Sequence, residues 1–475
     1  MSEPSSGRFV YSPHLRTALV LTGTGTAGAY HAGVLRALSE AGVKIDVVAG
    51  RGIGAAGALF AAIDGGSRLW GRGGVWRRPE VSGLYPWRAL VRAIGWVAAA
   101  GAVLLTVPAA VAAIGLFVYQ TALLLEPAGG GTASGVARGF TMWVIAAFQP
   151  SGLPTLLPRL ALLLMAVLLA LVAAAAIRTL WRLPARRRQR DGFWWAVLGA
   201  PLSRTHAAAH FRGVLWELMS GGSSLRQPGV ADLARRYAEL LSDNLGQPGF
   251  RELLLVTHDI DARRDLTFAL LQDGFRRDFF LRRPASGLEP RSAEAFDLAG
   301  VARDLTLDAI EAALTLPVAA DPHLVVFPAE GYWRGEAHRL CDRPSSLIRV
   351  LEEVAHAGVR QIIVATASAD AEGPHALTTR RASPRARLGD YLSSEEAAAT
   401  RDALRFAADW ADGVFVVRPA HNPIGPLDLG GAYDQQSDRR QPLAELIERG
   451  YEDAYRQFIE PVVGGSGETL NSVTT

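Results

Sequence analysis

One cysteine and one lysine stand among 475 residues, and each scarcity excludes something. A lone thiol, Cys341, can form neither an intrachain disulfide nor the usual cysteine-based zinc clusters. With Lys44 the only lysine, the formal net charge of +3 rests on arginine. No basic stripe interleaved with aromatics occurs outside two arginine clusters, so no nucleic-acid partner is expected. The opening residues, MSEPSSGRFVYSPHLR, lack the apolar stretch of a secretory signal, which predicts a chain whose bulk is cytosolic.

Charge is missing altogether from residues 93–125 and again from 160–177. A helix needs about 20 apolar residues to cross a bilayer, so the pattern predicts a two-helix transmembrane hairpin over 93–178, with helices at about 95–125 and 157–178. Arginines crowd both outer flanks (Arg68, Arg72, Arg77, Arg78, Arg88 and Arg92 before; Arg178, Arg182, Arg186, Arg187, Arg188 and Arg190 after), and only Arg138 and Arg159 lie between. By the arginine bias of cytosolic flanks, the hairpin enters and leaves on the cytosolic side. A bacterial inner membrane is the expected location, with both outer parts of the chain in the cytoplasm.

What is present near the start is a strand, a glycine loop and a helix. The apolar run TALVLT leads into Gly23-Thr24-Gly25-Thr26-Ala27-Gly28, and AYHAGVLRALSEAG continues at helical spacing. Such a loop aims backbone N–H groups at an anion, and it fits the dinucleotide fingerprint. That reading fails on the next strand, IDVVAG, because an acid should follow its apolar part and Asp46 precedes it. Instead Gly50-Arg51-Gly52-Ile53-Gly54 opens a second helix. A sharp strand-to-helix turn between small residues is the architecture of a nucleophile elbow, G-x-S-x-G.

LVLTGTGTAGAYHAGVLRALSEAG followed by IDVVAGRGIGAAGALFAA resembles the beginning of patatin-like phospholipases. There a G-G-G-x-[KR]-G oxyanion loop precedes the G-x-S-x-G elbow at similar spacing. The resemblance implies a three-layer, α/β-hydrolase-related α/β fold with a mainly parallel sheet, and a serine/aspartate dyad acting on lipid acyl esters. It assigns Gly23, Thr24, Gly25 and Gly28 to the oxyanion loop and Gly50 and Gly54 to the elbow. It also exposes departures: Thr24 for the middle glycine, Ala27 for the basic residue, and Gly52 for the nucleophilic serine. The family's aspartate lies late in the domain in a D-G-[GA] motif. Glu330-Gly331, after the apolar run LVVF, occupies that place, with Asp342 a competing candidate.

Glycine supplies no group to form a covalent intermediate. The expected protein is therefore a membrane-anchored, catalytically impaired lipid- or acyl-binding relative of these enzymes. An active hydrolase recruiting Glu330, His338 or a loop threonine, and a protein scaffold on the cytosolic face, are the alternatives. His338, Arg339, Asp342 and Arg343 fall just after the presumed acid and are placed at the cleft, the two arginines against an anionic headgroup. A membrane lipid or fatty-acyl ligand is the expected partner. No cofactor or metal is expected: His206 and His210, one helical turn apart, have no evident third ligand, and Asp428, Asp434 and Asp438 lack the calcium-loop pattern. His31 is assigned to packing. The domain should comprise 10–66 and 192–462, followed by a disordered tail over 463–475.

Overall fold

The computed structural model describes residues 11–125, 132–147, 149, 153–182, 199–221, 225–281, 293–331, 333–368, 383–419, 424–434 and 439–463. The chain divides into two units, Met1–Pro86 with Leu202–Thr475, and Trp87–Pro201. The expected tail, apart from Val463, lies outside the described residues.

The first unit begins with β1 (Thr17–Thr22), α1 (Ala27–Glu40), β2 (Val47–Gly50), α2 (Ile53–Ala62) and the short α3 (Ser67–Trp70). The second unit carries α4 (Ala89–Leu125), α5 (Thr132–Ala147) and α6 (Leu153–Arg182). The first unit resumes with α7 (Thr205–Met219), α8 (Val230–Asn244), β3 (Glu252–Asp259), β4 (Arg264–Leu270), α9 (Asp273–Phe280), β5 (Glu294–Asp297) and α10 (Thr306–Ala313). It ends with β6 (His323–Val326), β7 (Ala337–Cys341), α11 (Leu347–His356), β8 (Gln361–Thr366), α12 (Pro384–Ala408), β9 (Gly413–Val417), the β10 (Ala432–Asp434) and β11 (Arg439–Gln441) ribbon, and α13 (Leu443–Ala454).

The central sheet runs β5-β4-β3-β2-β1-β8-β9. Five of its strands, β3, β2, β1, β8 and β9, are parallel neighbours in register. Helices cover both faces, which is why TALVLT and QIIVAT read as unbroken apolar or neutral runs and are buried throughout. On one face Ala18, Val20, Val47, Ala49, Leu254, Val256, Ile362 and Val364 pack against α11 and the apolar stripe of α12. On the other, α1, α2 and α10 contact the strands, and α13 lies along α1. The domain is thus α/β with a mostly parallel sheet between two helical layers.

In the second unit α4 packs on both α5 and α6. Where the sequence predicts a two-helix hairpin, a third helix, α5, occupies the connecting segment. Its stretch FTMWVIAA is apolar nearly throughout. Among the described residues one helix, Arg159–Arg178, is long and apolar enough to cross a membrane, with a mean hydropathy of 3.0 and none of its apolar stretch buried.

A further feature lies in residues 335–344, which follow the presumed acid in sequence. Residues 337–341 form β7, and the alternation of exposed Ala337 and Arg339 with buried His338 and Leu340 is the strand signal. Arg334 and Gly335, both at positive φ, turn the chain from β6 into β7. This hairpin decides which carboxylate reaches the elbow.

Candidate functional site

Gly52 sits between β2 and α2 with φ 56° and ψ −137°. That is a sparsely populated backbone region costing a side-chain-bearing residue about 1–3 kcal/mol, so the sharp turn expected of an elbow is present. Gly50 and Gly54 permit it: a Cβ on Gly54 would lie 2.1 Å from the Leu21 carbonyl oxygen, and one on Gly50 would lie 2.6 Å from the Gly54 carbonyl oxygen.

Strand register then brings an acid to this turn. Gly50 pairs with Leu255, while β7 pairs with β3 beyond the end of β2, Cys341 opposite His258. Residue 342 therefore arrives level with residue 257, as does residue 52. A Cβ on Gly52 would lie 3.0 Å from Asp342 Oδ2. Glu330, expected at the acid position, is instead exposed in the turn after β6. The carboxylate facing the elbow is Asp342, because the β6–β7 hairpin carries the chain out and back before the acid is delivered.

Asp342 is already engaged. Arg51, fully buried, donates from Nε to Asp342 Oδ1 (3.0 Å) and from Nη2 to Oδ2 (2.6 Å). Its Nη1 reaches both oxygens of Glu396 at 2.6 and 2.7 Å and the Thr22 hydroxyl at 2.9 Å. The hydroxyls of Thr22 and Thr24 donate to Glu396 at 3.3 and 3.4 Å. Burial opposes the charge on Arg51, but the two carboxylates more than offset it and hold its pKa above the ordinary arginine value. Burial raises Glu396, against the pull of Arg51, with the Asp342 charge adding to the rise. A guanidinium with two carboxylates in a dry interior is a structural ion cluster.

The residues expected to form an oxyanion loop are equally committed. In an elbow of this kind the N–H after the nucleophile helps hold the oxyanion, yet here Ile53 N–H donates to the Gly23 carbonyl at 3.0 Å. The same carbonyl oxygen would lie 2.3 Å from a Cβ on Gly52. The segment around Pro426 closes the loop from the other side: Thr26 N–H donates to the Pro426 carbonyl at 2.9 Å, and a Cβ on Gly25 would meet that oxygen at 1.9 Å. Gly28 lies under the Trp76 ring. Every residue of 23–28 and 50–54 is buried.

The other predicted residues lie apart from this centre. His338 is four residues before Asp342, about 13 Å along an extended chain. Its Nδ1 meets Asp259 at 2.5 Å and its Nε2 meets Glu336 at 3.2 Å. Burial opposes its charge, but these two carboxylates leave its pKa raised. Arg339 is exposed and paired with Asp261 at 2.6 Å. Arg343 is exposed and donates to the Ser345 hydroxyl. His31 is buried behind the loop, its Nε2 3.0 Å from the Thr22 carbonyl, and burial pushes its pKa down to about 4. His206 is exposed on α7, and His210 meets the Val75 carbonyl at 3.2 Å. No group of three metal-ligating side chains occurs among the described residues. Cys341, buried and pushed up to about 12 by burial and the neighbouring Asp342, is a poor nucleophile.

Two members of the centre escape sequence reasoning. Arg51 occupies the variable position of the elbow motif, where only its size and charge are unusual. Glu396 was detectable: Leu392, Glu396, Thr400, Ala403 and Ala407 recur at helical spacing on the buried stripe of α12, and a carboxylate on such a stripe demands a partner.

No family model matches the chain. The mouse and human proteins described as patatin-like phospholipase domain-containing protein 6 are each 47% identical to it over 70 residues. That stretch is 14% of this chain and 5% of each relative, so the chain spans a small part of their length. It supports a patatin-like relationship over that part. The crystal structure of VipD from Legionella pneumophila covers 96% of this chain and 69% of its own, with 12% sequence identity and a TM-score of 0.31.

Proposed function

We propose that this chain is a membrane-anchored, patatin-like protein whose acyl-hydrolase centre has become a structural ion cluster, leaving a lipid- or acyl-binding role. One observation carries the reading. Asp342 stands where a serine at position 52 would need its partner, yet both its oxygens are bound by Arg51, and the adjoining Ile53 N–H is taken by Gly23. Nucleophile, base and oxyanion donor are thus absent or occupied together. The partial similarity to patatin-like phospholipase domain proteins supports the ancestry. The Arg159–Arg178 helix, with Leu162 and Leu163 outward, supports anchoring in a bilayer. Arginine-rich flanks on both outer sides support an orientation with the larger unit in the cytoplasm. An active hydrolase using a recruited group is disfavoured by the burial of Thr24 and Cys341 and by the raised thiol pKa.

The test is labelling of the detergent-extracted chain with a fluorophosphonate, alongside a lipid-ester hydrolysis assay. Neither should report on the natural chain or on Gly52→Ser, whose Cβ would press on the Gly23 carbonyl. Labelling of the natural chain that disappears on mutation of a single serine or threonine would overturn the proposal. Lipid mass spectrometry on the purified chain separates lipid binding from a protein-scaffold role.

A further inference from the structure

At the opposite end of β2 from the elbow lies a cavity of about 180 Å³. Its floor is apolar: Leu35 and Val43 from α1 and the loop after it, Val48 from β2, and Ala61 from the end of α2, all buried. Its rim is polar and open to water at Ser39, Asp64 and Ser67. The rim is firmly built, since Asp64 is held at φ 55°, and a Cβ on Gly249 would come within 3.0 Å of its side chain.

Arg251 lines this cavity. Its Nη1 donates to the Ala61 carbonyl at 2.8 Å and, at 3.4 Å, to that of Gly249. Among the described residues it has no carboxylate within ion-pair distance, and its Nε and Nη2 donate to nothing. Burial lowers its pKa, offset in part by the charge of Asp64. A partly buried guanidinium with an open pair of donors matches the two oxygens of a carboxylate. The nearby Asp64 charge disfavours a dianion. The volume equals about six waters at roughly 30 Å³ each, and the floor would hold those waters poorly because it offers few polar partners.

We infer that this cavity binds a small amphipathic carboxylate, its short hydrocarbon chain on the Leu35–Val48–Ala61 floor and its carboxylate on the free edge of Arg251. The site is separate from the elbow, so it stands or falls independently of the proposed loss of hydrolase chemistry.

Pentanoate is a suitable probe, with pentanol as its uncharged counterpart, titrated by ligand-observed NMR against the full chain in lipid nanodiscs. Pentanoate should bind at least tenfold more tightly than pentanol. Arg251→Gln should weaken pentanoate by about ten- to a hundredfold, the worth of a charged hydrogen-bonded contact, and erase the preference. Ser39→Trp, placed on the exposed rim so that folding is spared, should weaken both ligands by obstructing the mouth. Equal binding of acid and alcohol, no saturable pentanoate signal, or pentanoate binding that survives both substitutions would each overturn the inference.

Discussion

Two arginines stand near opposite ends of the short strand β2 and have opposite surroundings. Arg51 follows its last residue and is wholly enclosed, with two carboxylates and the Thr22 hydroxyl around it. Arg251 precedes β3 at the level where Glu252 pairs with Val47, and it borders a cavity with one main-chain carbonyl at close range. In an α/β sheet, ligands ordinarily gather beyond the carboxyl ends of the strands. Here that end is filled with its own ions and backbone, and the other end is open. A guanidinium that must leave water entirely requires compensation from the fold, whereas one at a cavity edge can keep donors in reserve.

The sharpest way to break this contrast is to remove the enclosed charge. Arg51→Met should destabilise the first unit by about 3–5 kcal/mol, because it leaves Asp342 and Glu396 buried without a counter-charge. Urea unfolding of the full chain, followed by a probe on the first unit, measures it. Replacing all three charges (Arg51→Met, Asp342→Leu, Glu396→Leu) should recover most of the loss, since an apolar set of similar volume avoids the desolvation cost. If the triple variant is no better than the single one, the cluster does more than satisfy its own charges.

The next effect in size comes from His31, behind the same closed end. Its folded pKa of about 4 lies below its unfolded value near 6.5. The lowered pKa means that its neutral form is favoured on folding. The stability this brings is full above pH 6.5 and disappears as pH falls through 4, amounting to about 3 kcal/mol. Glu396, with a raised pKa, works in the opposite direction: its contribution is present below about 4.5 and is lost as pH rises through its folded value. Comparing the natural chain with His31→Asn keeps Glu396 constant, so the difference between their stability–pH curves isolates the histidine. Parallel curves between pH 7 and 4 would show that His31 is not held neutral.

How much of this was readable beforehand follows from the range of each interaction. The strand–loop–helix–strand–elbow order over residues 17–62 was legible because its signals are local: apolar runs, glycines, helical spacing. The acid was misplaced because its position depends on a hairpin pairing. Only the register of β7 on β3 distinguishes Asp342 from Glu330. Arg51 was visible as a residue but silent as a partner, since its carboxylates come from 291 and 345 positions further on. The third helix of the second unit was hidden because apolar character alone does not separate a helix from a connection. The cavity beside Arg251 had no sequence signal, being formed where residues 35–48 and 61–70 meet Arg251, about 180 positions further on.

The smallest effect is the other half of the contrast. Arg251→Gln, without ligand, should change stability by no more than about 1 kcal/mol in either direction. Loss of the bond to the Ala61 carbonyl is a cost of about that size. Against it stands relief from keeping a partly buried cation, whose burial lowers its pKa despite the opposing charge of Asp64. The same urea experiment that reports a loss of several kcal/mol for Arg51→Met should therefore barely register this substitution. A loss approaching that of Arg51 would mean that Arg251 is a structural ion in its own right, and the two ends of the strand would be alike. A near-neutral result would leave its Nε and Nη2 donors without a structural explanation among the described residues, and the cavity that Arg251 lines as their reason.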